Sequence, residues 1–126
     1  MNREIKFRGI REEYNSVYHD SVFKYGNLLN TNSIGEVGHD LTHYEYAKVK
    51  PETIGQFTGL FDKEGNEIYE GDLLELANGE KISVSFKSGK FLGIRKNGTT
   101  SLTSFYWIYA KIVGNIHENQ ELITKP

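Results

Sequence analysis

The stretch GQFTGLFDKEGNEIYEGDLL, from Gly55 to Leu74, admits few folds. Two apolar runs, Phe57 to Phe61 and Glu67 to Tyr69, enclose Asp62-Lys63-Glu64-Gly65-Asn66, in which Gly65 can adopt the left-handed conformation that closes a three-residue hairpin loop. With Lys63, Glu64 and Gly65 as the loop, Leu60 falls opposite Ile68 on one face and Phe61 opposite Glu67 on the other, so register and turn chemistry agree. In the following Tyr69-Glu70-Gly71-Asp72-Leu73-Leu74, Gly71 permits a sharp change of direction and Asp72 can accept bonds from free backbone donors before a new strand. This reads as a corner between two sheet layers.

The rest of the chain is punctuated in the same way. Residues 3–10 alternate Ile5 and Phe7 with Glu4, Lys6 and Arg8, the pattern of a strand with one buried face. A polar turn follows, and then Val17 to His19 and Val22 to Leu29, interrupted at Asp20-Ser21 and Gly26-Asn27, predict a meander of short antiparallel strands. Asn30 to Gly38, rich in Asn, Thr, Ser and Gly, is expected to be a surface loop. His39 to Lys50 fits a helical stripe (Leu41, Tyr44, Ala47) or a strand (Tyr44, Tyr46, Lys48), until Pro51 forces Lys50 into extended geometry.

After the corner, Leu73 to Ala77 predicts a strand, and Asn78-Gly79 predicts a two-residue turn. Ile82, Val84 and Phe86 alternate with Ser83, Ser85 and Lys87 before a strand holding Phe91, Leu92 and Ile94. A three-residue loop of Lys87, Ser88 and Gly89 pairs Val84 with Leu92 and Ile82 with Ile94; a two-residue loop sets Ser85 and Ser83 against those aliphatics instead, so burial favours the first. Asn97-Gly98 begins another turn before Thr99 to Thr103. Ser104 to Ala110 suits a helical turn or a bent strand, and Lys111 to Ile116 is a final strand. The expected fold is mainly β, or α+β, with two small antiparallel subdomains: residues 1–54, and residues 55–126 with an SH3-like barrel.

Three blocks carry a family resemblance: Arg3-Glu4-Ile5-Lys6-Phe7-Arg8, the central segment from Gln56 to Asp72, and Val113-Gly114-Asn115-Ile116-His117-Glu118-Asn119. In this order and spacing they resemble the YopX-like family of phage and prophage proteins. The resemblance implies a small, mostly β protein of phage or prophage origin and brings no catalytic residue with it. Arg11 to Pro51 matches the family pattern least.

Composition narrows the function. With 126 residues and no cysteine, the chain can bury a core without disulfides and has neither a thiolate metal site nor a cysteine nucleophile. A charged start and the lack of a long apolar run predict no membrane partner and a bacterial cytoplasmic location. The net charge of -2 is unevenly spread: between Glu80 and His117 six basic residues stand against one acidic residue. Walker and dinucleotide glycine patterns and the Gly-x-Ser-x-Gly elbow are absent, so neither a cofactor nor a catalytic set is expected.

Three constellations remain. His39 and His43, with Asp40 and Glu45, share a helical spacing that suits a metal-dependent hydrolase, although HExxH is missing. The favoured hairpin register gathers Lys81, Lys87, Phe91 and Arg95 on one basic face, suited to stacking single-stranded nucleic acid or to burial against another protein. Tyr106 and Trp107, in an aromatic run, are interface candidates. Together these predict a noncatalytic protein-binding or self-assembling accessory module: a homo-oligomer, or a partner of a phage or host protein, with single-stranded nucleic acid as the alternative ligand.

Overall fold

The computed structural model describes residues 5–12, 23–30, 32–37, 44–102 and 109–119. The chain divides into two compact units, Asn2–Gln56 and Phe57–Pro126, and every described strand pair is antiparallel.

In the first unit β1 (Phe7–Ile10), β2 (Phe23–Asn30), β3 (Ser33–Val37) and β4 (Tyr44–Lys48) are ordered β4-β3-β2-β1. Gly55 and Gln56, which open β5 (Gly55–Phe61), pair with Arg8 and Phe7. These strands follow one another as antiparallel neighbours, whereas the strand expected at Val17 to His19 lies outside the described residues, and the expectations for the described part need correcting. The predicted surface loop from Asn30 to Gly38 contains β3, because Asn30 pairs with Ser33 and confines the turn to two residues. Ile34 then stands between Leu28 and Ala47 and is fully buried. β2 also continues through Gly26-Asn27 without a break.

The buried side of β1 is not the expected one either. Ile5 is 65% exposed, whereas Arg8 and Ile10 are buried. The Arg8 guanidinium lies 4.0 Å from the centre of the Phe23 ring, a contact that offsets part of its desolvation. Of the ambiguous segment, Tyr44–Lys48 is strand. Lys50 is extended, as proline requires of its predecessor, and Pro51–Thr53 forms a 3-10 turn. The Thr53 hydroxyl donates to the Lys50 carbonyl at 2.6 Å and accepts from the buried Ile10 N–H at 2.9 Å, tying this turn to β1.

The second unit holds β5 from Phe57 onward, β6 (Glu67–Tyr69), β7 (Asp72–Glu75), β8 (Lys81–Lys87), β9 (Lys90–Arg95), β10 (Gly98–Ser101) and β11 (Lys111–Asn115). The β5–β6 loop is the predicted three-residue one. Asp62 N–H donates to Asn66 at 2.9 Å, Gly65 N–H donates back to Asp62 at 3.0 Å, and Gly65 has φ 86°. Phe61 faces Glu67 as expected, but Phe57 faces Tyr69, so Thr58, Gly59 and Leu60 bulge opposite Ile68 and no simple Leu60–Ile68 pair forms. The Thr58 hydroxyl fills the bulge, donating to the Ile68 carbonyl and accepting from Leu60 N–H.

At the corner, the buried Asp72 carboxylate accepts the Tyr69 N–H at 2.7 Å, the role its position predicted. The β7–β8 loop repeats the β5–β6 geometry: Leu76 N–H donates to Glu80, Gly79 N–H donates to Leu76, and Gly79 has φ 88°. Its loop is therefore Ala77-Asn78-Gly79, one residue longer than Asn78-Gly79 alone. The physical reason is register, since the longer loop sets buried Leu74 opposite buried Ile82 and a shorter one slides the ladder by a residue.

The five strands are ordered β10-β9-β8-β7-β11. Ile68, Leu74, Leu76, Ile82, Val84 and Ala110 form the core, with Leu60, Leu102 and Ile112 packed against it. The last strand returns beside the first of the meander, the order an SH3-like barrel requires. Closure does not follow: β10 and β11 are the two ends of an open sheet.

Candidate functional site

The β8–β9 hairpin carries most of the residues that the sequence proposed as a site, and its register differs from the expected one. Phe86 pairs with Phe91, Ser85 with Leu92, Val84 with Gly93 and Ser83 with Ile94, around a two-residue loop of Ser88 and Gly89. Both loop residues have positive φ, 54° and 80°, the backbone of the turn whose twist matches that of its flanking strands. Counting aliphatic pairs favoured the other register because it ignored the glycine at position 93. A Cβ there would lie 2.7 Å from Ile82 Cδ1, so the glycine makes room for a core side chain. The cost is modest, since Leu92 and Ile94 remain half-buried on the opposite face.

This register divides the predicted platform. Lys81 and Lys87 lie on one face of the hairpin, and Phe91 and Arg95 on the other. Lys81 and Lys87 are also about 20 Å apart along the strand at ~3.3 Å per residue. Lys81 sits directly opposite Glu75 and pairs with it at 3.3 Å. Arg95 forms a two-pronged contact with Glu80, Nε to Oε2 at 2.8 Å and Nη2 to Oε1 at 2.9 Å. Lys111 approaches Glu64 at 3.8 Å. Lys81 and Arg95 thus stand on opposite faces, each with a carboxylate beside it.

What the hairpin brings together is its tip. Phe86, 40% exposed, packs against Phe91 with ring centres 4.8 Å apart and planes tilted by 58°. Such a pair contributes about 1 kcal/mol beyond the area it buries. On the other face the exposed Lys87 and Lys90 stand directly opposite each other. Phe86 shares a face with Ile82 and Val84, and it is the two-residue loop that sets Phe91 opposite it and so brings the two rings together.

At the far end of the sheet, Glu80, Arg95, Asn97, Gly98 and Thr99 line a shallow depression of about 290 Å³. Next to it runs β10, the outermost strand of the sheet, in which Gly98, Thr99, Thr100 and Ser101 pair with Arg95, Ile94, Gly93 and Leu92.

Asp62 is a tightly held ionisable group. Its Oδ1 accepts from Glu64 and Asn66 N–H at 2.9 Å each, and its Oδ2 accepts from Ile112 N–H at 3.1 Å, joining the β5–β6 loop to β11. Burial pushes its pKa up, but the backbone bonds from Ile112, Asn66 and Glu64, with a side-chain bond from Asn66, outweigh this and hold it below the ordinary aspartate value. It is a structural carboxylate, with its oxygens committed to the backbone. His39, His43, Tyr106 and Trp107 lie outside the described residues. Among the described residues no group of three or more His, Asp or Glu side chains is placed to hold a metal ion, and no helix is long and apolar enough to cross a membrane.

The described architecture is that of a nearly all-β protein built from antiparallel hairpins, and its best-defined surface features are a sheet edge and a hairpin tip. The chain belongs to the YopX protein family, whose pattern matches residues 6–124. Among solved structures it is similar to the crystal structure of protein EF1440 from Enterococcus faecalis, with 21% identity, a TM-score of 0.56, and coverage of 97% of this chain and 99% of that one. This likeness concerns the fold. No curated protein matches the chain.

Proposed function

We propose that the chain is a noncatalytic accessory protein of a phage or prophage, acting in the bacterial cytoplasm through contacts with other proteins and first of all with copies of itself. One observation carries this reading. In the sheet of the second unit, Lys81, Arg95 and Lys111 are neutralised by Glu75, Glu80 and Glu64, while away from Lys87 and Lys90 the exposed features, Phe86 and the β10 edge, are uncharged. A groove for a polyanion needs the opposite arrangement, cations held clear of carboxylates so that phosphates can displace their counterions. Protein contacts instead favour exposed aromatic groups and main-chain edges.

A second reading is kept for one feature only. Lys87 and Lys90, opposed at the tip beside an aromatic pair, suit a single-stranded nucleic acid whose bases stack on Phe86. Sedimentation velocity over a concentration series, with and without a labelled single-stranded oligonucleotide, separates the two. The expected result is a mass that rises with protein concentration while the oligonucleotide sediments alone. A monomer at every concentration contradicts self-association, and co-sedimentation that weakens steeply with salt establishes the second reading in its place.

A further inference from the structure

The two edges of the five-stranded sheet are finished differently. β11 begins at Lys111, its pairing with β7 shifts between Ile112 and Gly114, and the Asn119 side chain accepts the Asn115 N–H at 3.1 Å while Asn119 N–H donates to the Asn115 carbonyl. A charge, an irregularity and a capping side chain are common ways of stopping an edge strand from recruiting another strand. β10 has none of them. Gly98-Thr99-Thr100-Ser101 carries no charge and no proline, its register with β9 is unbroken, and three of its four residues are exposed.

The ladder shows which backbone groups are available. Arg95 and Gly98 close a two-residue turn and form a hydrogen-bonded pair, so the alternation of an antiparallel ladder points Gly98 and Thr100 toward β9 and leaves the N–H and C=O groups of Thr99 and Ser101 directed outward. Among the described residues β10 pairs with β9 alone.

We propose that this edge is where two copies of the chain join, β10 against β10 in antiparallel pairing about a two-fold axis at Thr100. The inference rests on the reading of the chain as a self-associating protein and names the surface that does it. The register is self-complementary: Thr99 of each copy pairs with Ser101 of the other, giving about four main-chain bonds, and the two Thr100 residues meet in a non-hydrogen-bonded pair, where side chains approach most closely. Threonine opposite threonine is a favourable cross-strand pair. An uncharged strand also allows this where a lysine or glutamate at position 100 would set like charges face to face across the axis. The occupant is thus a second copy, and the contact is small, below the roughly 1,200 Å² of stable complexes, so the dimer is weak and concentration-dependent.

Sedimentation velocity up to about 1 mM protein, the range in which a binding energy of ~4 kcal/mol is visible, tests this with two variants. Thr99→Pro removes an outward N–H and leaves the bonds of β9 to β10 in place; the double variant Thr99→Lys with Ser101→Lys keeps every N–H and places charge on the edge. The expected result is a wild-type dimer weakened at least tenfold by either change, with unchanged far-ultraviolet circular dichroism. If the proline variant fails to fold, the lysine variant decides. A wild-type dimer that a folded variant retains overturns the edge and leaves self-association standing, whereas a wild-type monomer throughout the range overturns both.

Discussion

Replacing Asp62 by alanine removes the acceptor of three backbone N–H groups at once. Glu64 and Asn66 lie in the β5–β6 loop, where water replaces part of what is lost, while Ile112 belongs to β11, fifty residues away in sequence. Hydrogen bonds to a charged acceptor contribute about 1.5 to 3 kcal/mol each, and rehydration returns part of that for the two loop donors, so a loss of roughly 3 kcal/mol is expected. Asp62→Asn should lose less, about 1 to 2 kcal/mol, since its carbonyl can still serve the loop while its amide meets the Ile112 N–H donor to donor. Urea unfolding followed by circular dichroism measures both. The pH dependence is a second readout. Because folding lowers the Asp62 pKa, its contribution is complete above the pKa of an unfolded aspartate and is lost as pH falls through its own lower value. The gap between wild type and Asp62→Ala is therefore wide at neutral pH and narrows in acid. A gap under about 0.5 kcal/mol at pH 7, or one that does not change on acidification, would refute the view that this carboxylate holds the loop to β11.

Gly93→Ala should destabilise by about 1 to 3 kcal/mol, since its Cβ meets Ile82 Cδ1 at 2.7 Å and Thr100 Cγ2 at 3.1 Å; adding Ile82→Val removes Cδ1 and should make the double variant less than additive in chemical denaturation. Thr53→Val leaves the buried Ile10 N–H without its acceptor and should lower stability by about 1 to 3 kcal/mol, with faster amide exchange at Ile10. At Gly89 a side chain meets nothing within 4 Å, so only the backbone resists: Gly89→Val should cost more than about 1 kcal/mol and Gly89→Asn distinctly less, compared by thermal melting.

Local turn chemistry was the part of this fold most legible in the sequence. Gly65 closes its loop as its position implied, Asp72 caps the corner, and Pro51 leaves Lys50 extended, because each depends on the conformational range of one residue and its nearest neighbours. Register was harder to read where a compensating residue lay on another strand. Gly93 accommodates Ile82, and that contact, invisible from alternation within β8, accompanies a pairing that sets Phe91 opposite Phe86 and separates Lys81 and Lys87 from Phe91 and Arg95. The burial of Arg8 is illegible in its own strand for the same reason: its partner Phe23 lies on β2, and alternation alone reads arginine as outward. In β3, a polar composition hid a strand in which Ile34 finds apolar neighbours on both adjacent strands. The candidate contact at β10 was illegible because Gly-Thr-Thr-Ser has little hydrophobic pattern, and its meaning comes from being last in the sheet.

The most direct test is amide hydrogen exchange at Thr99 and Ser101, read residue by residue at two protein concentrations about a hundredfold apart, with Gly98 and Thr100 as internal references. Pairing of copies through β10 predicts that the Thr99 and Ser101 amides exchange quickly in dilute protein and become protected as concentration rises, while the two amides facing β9 are protected at both. Exchange at Thr99 and Ser101 that does not depend on concentration, in a sample whose mass does, would place the contact elsewhere and contradict the account.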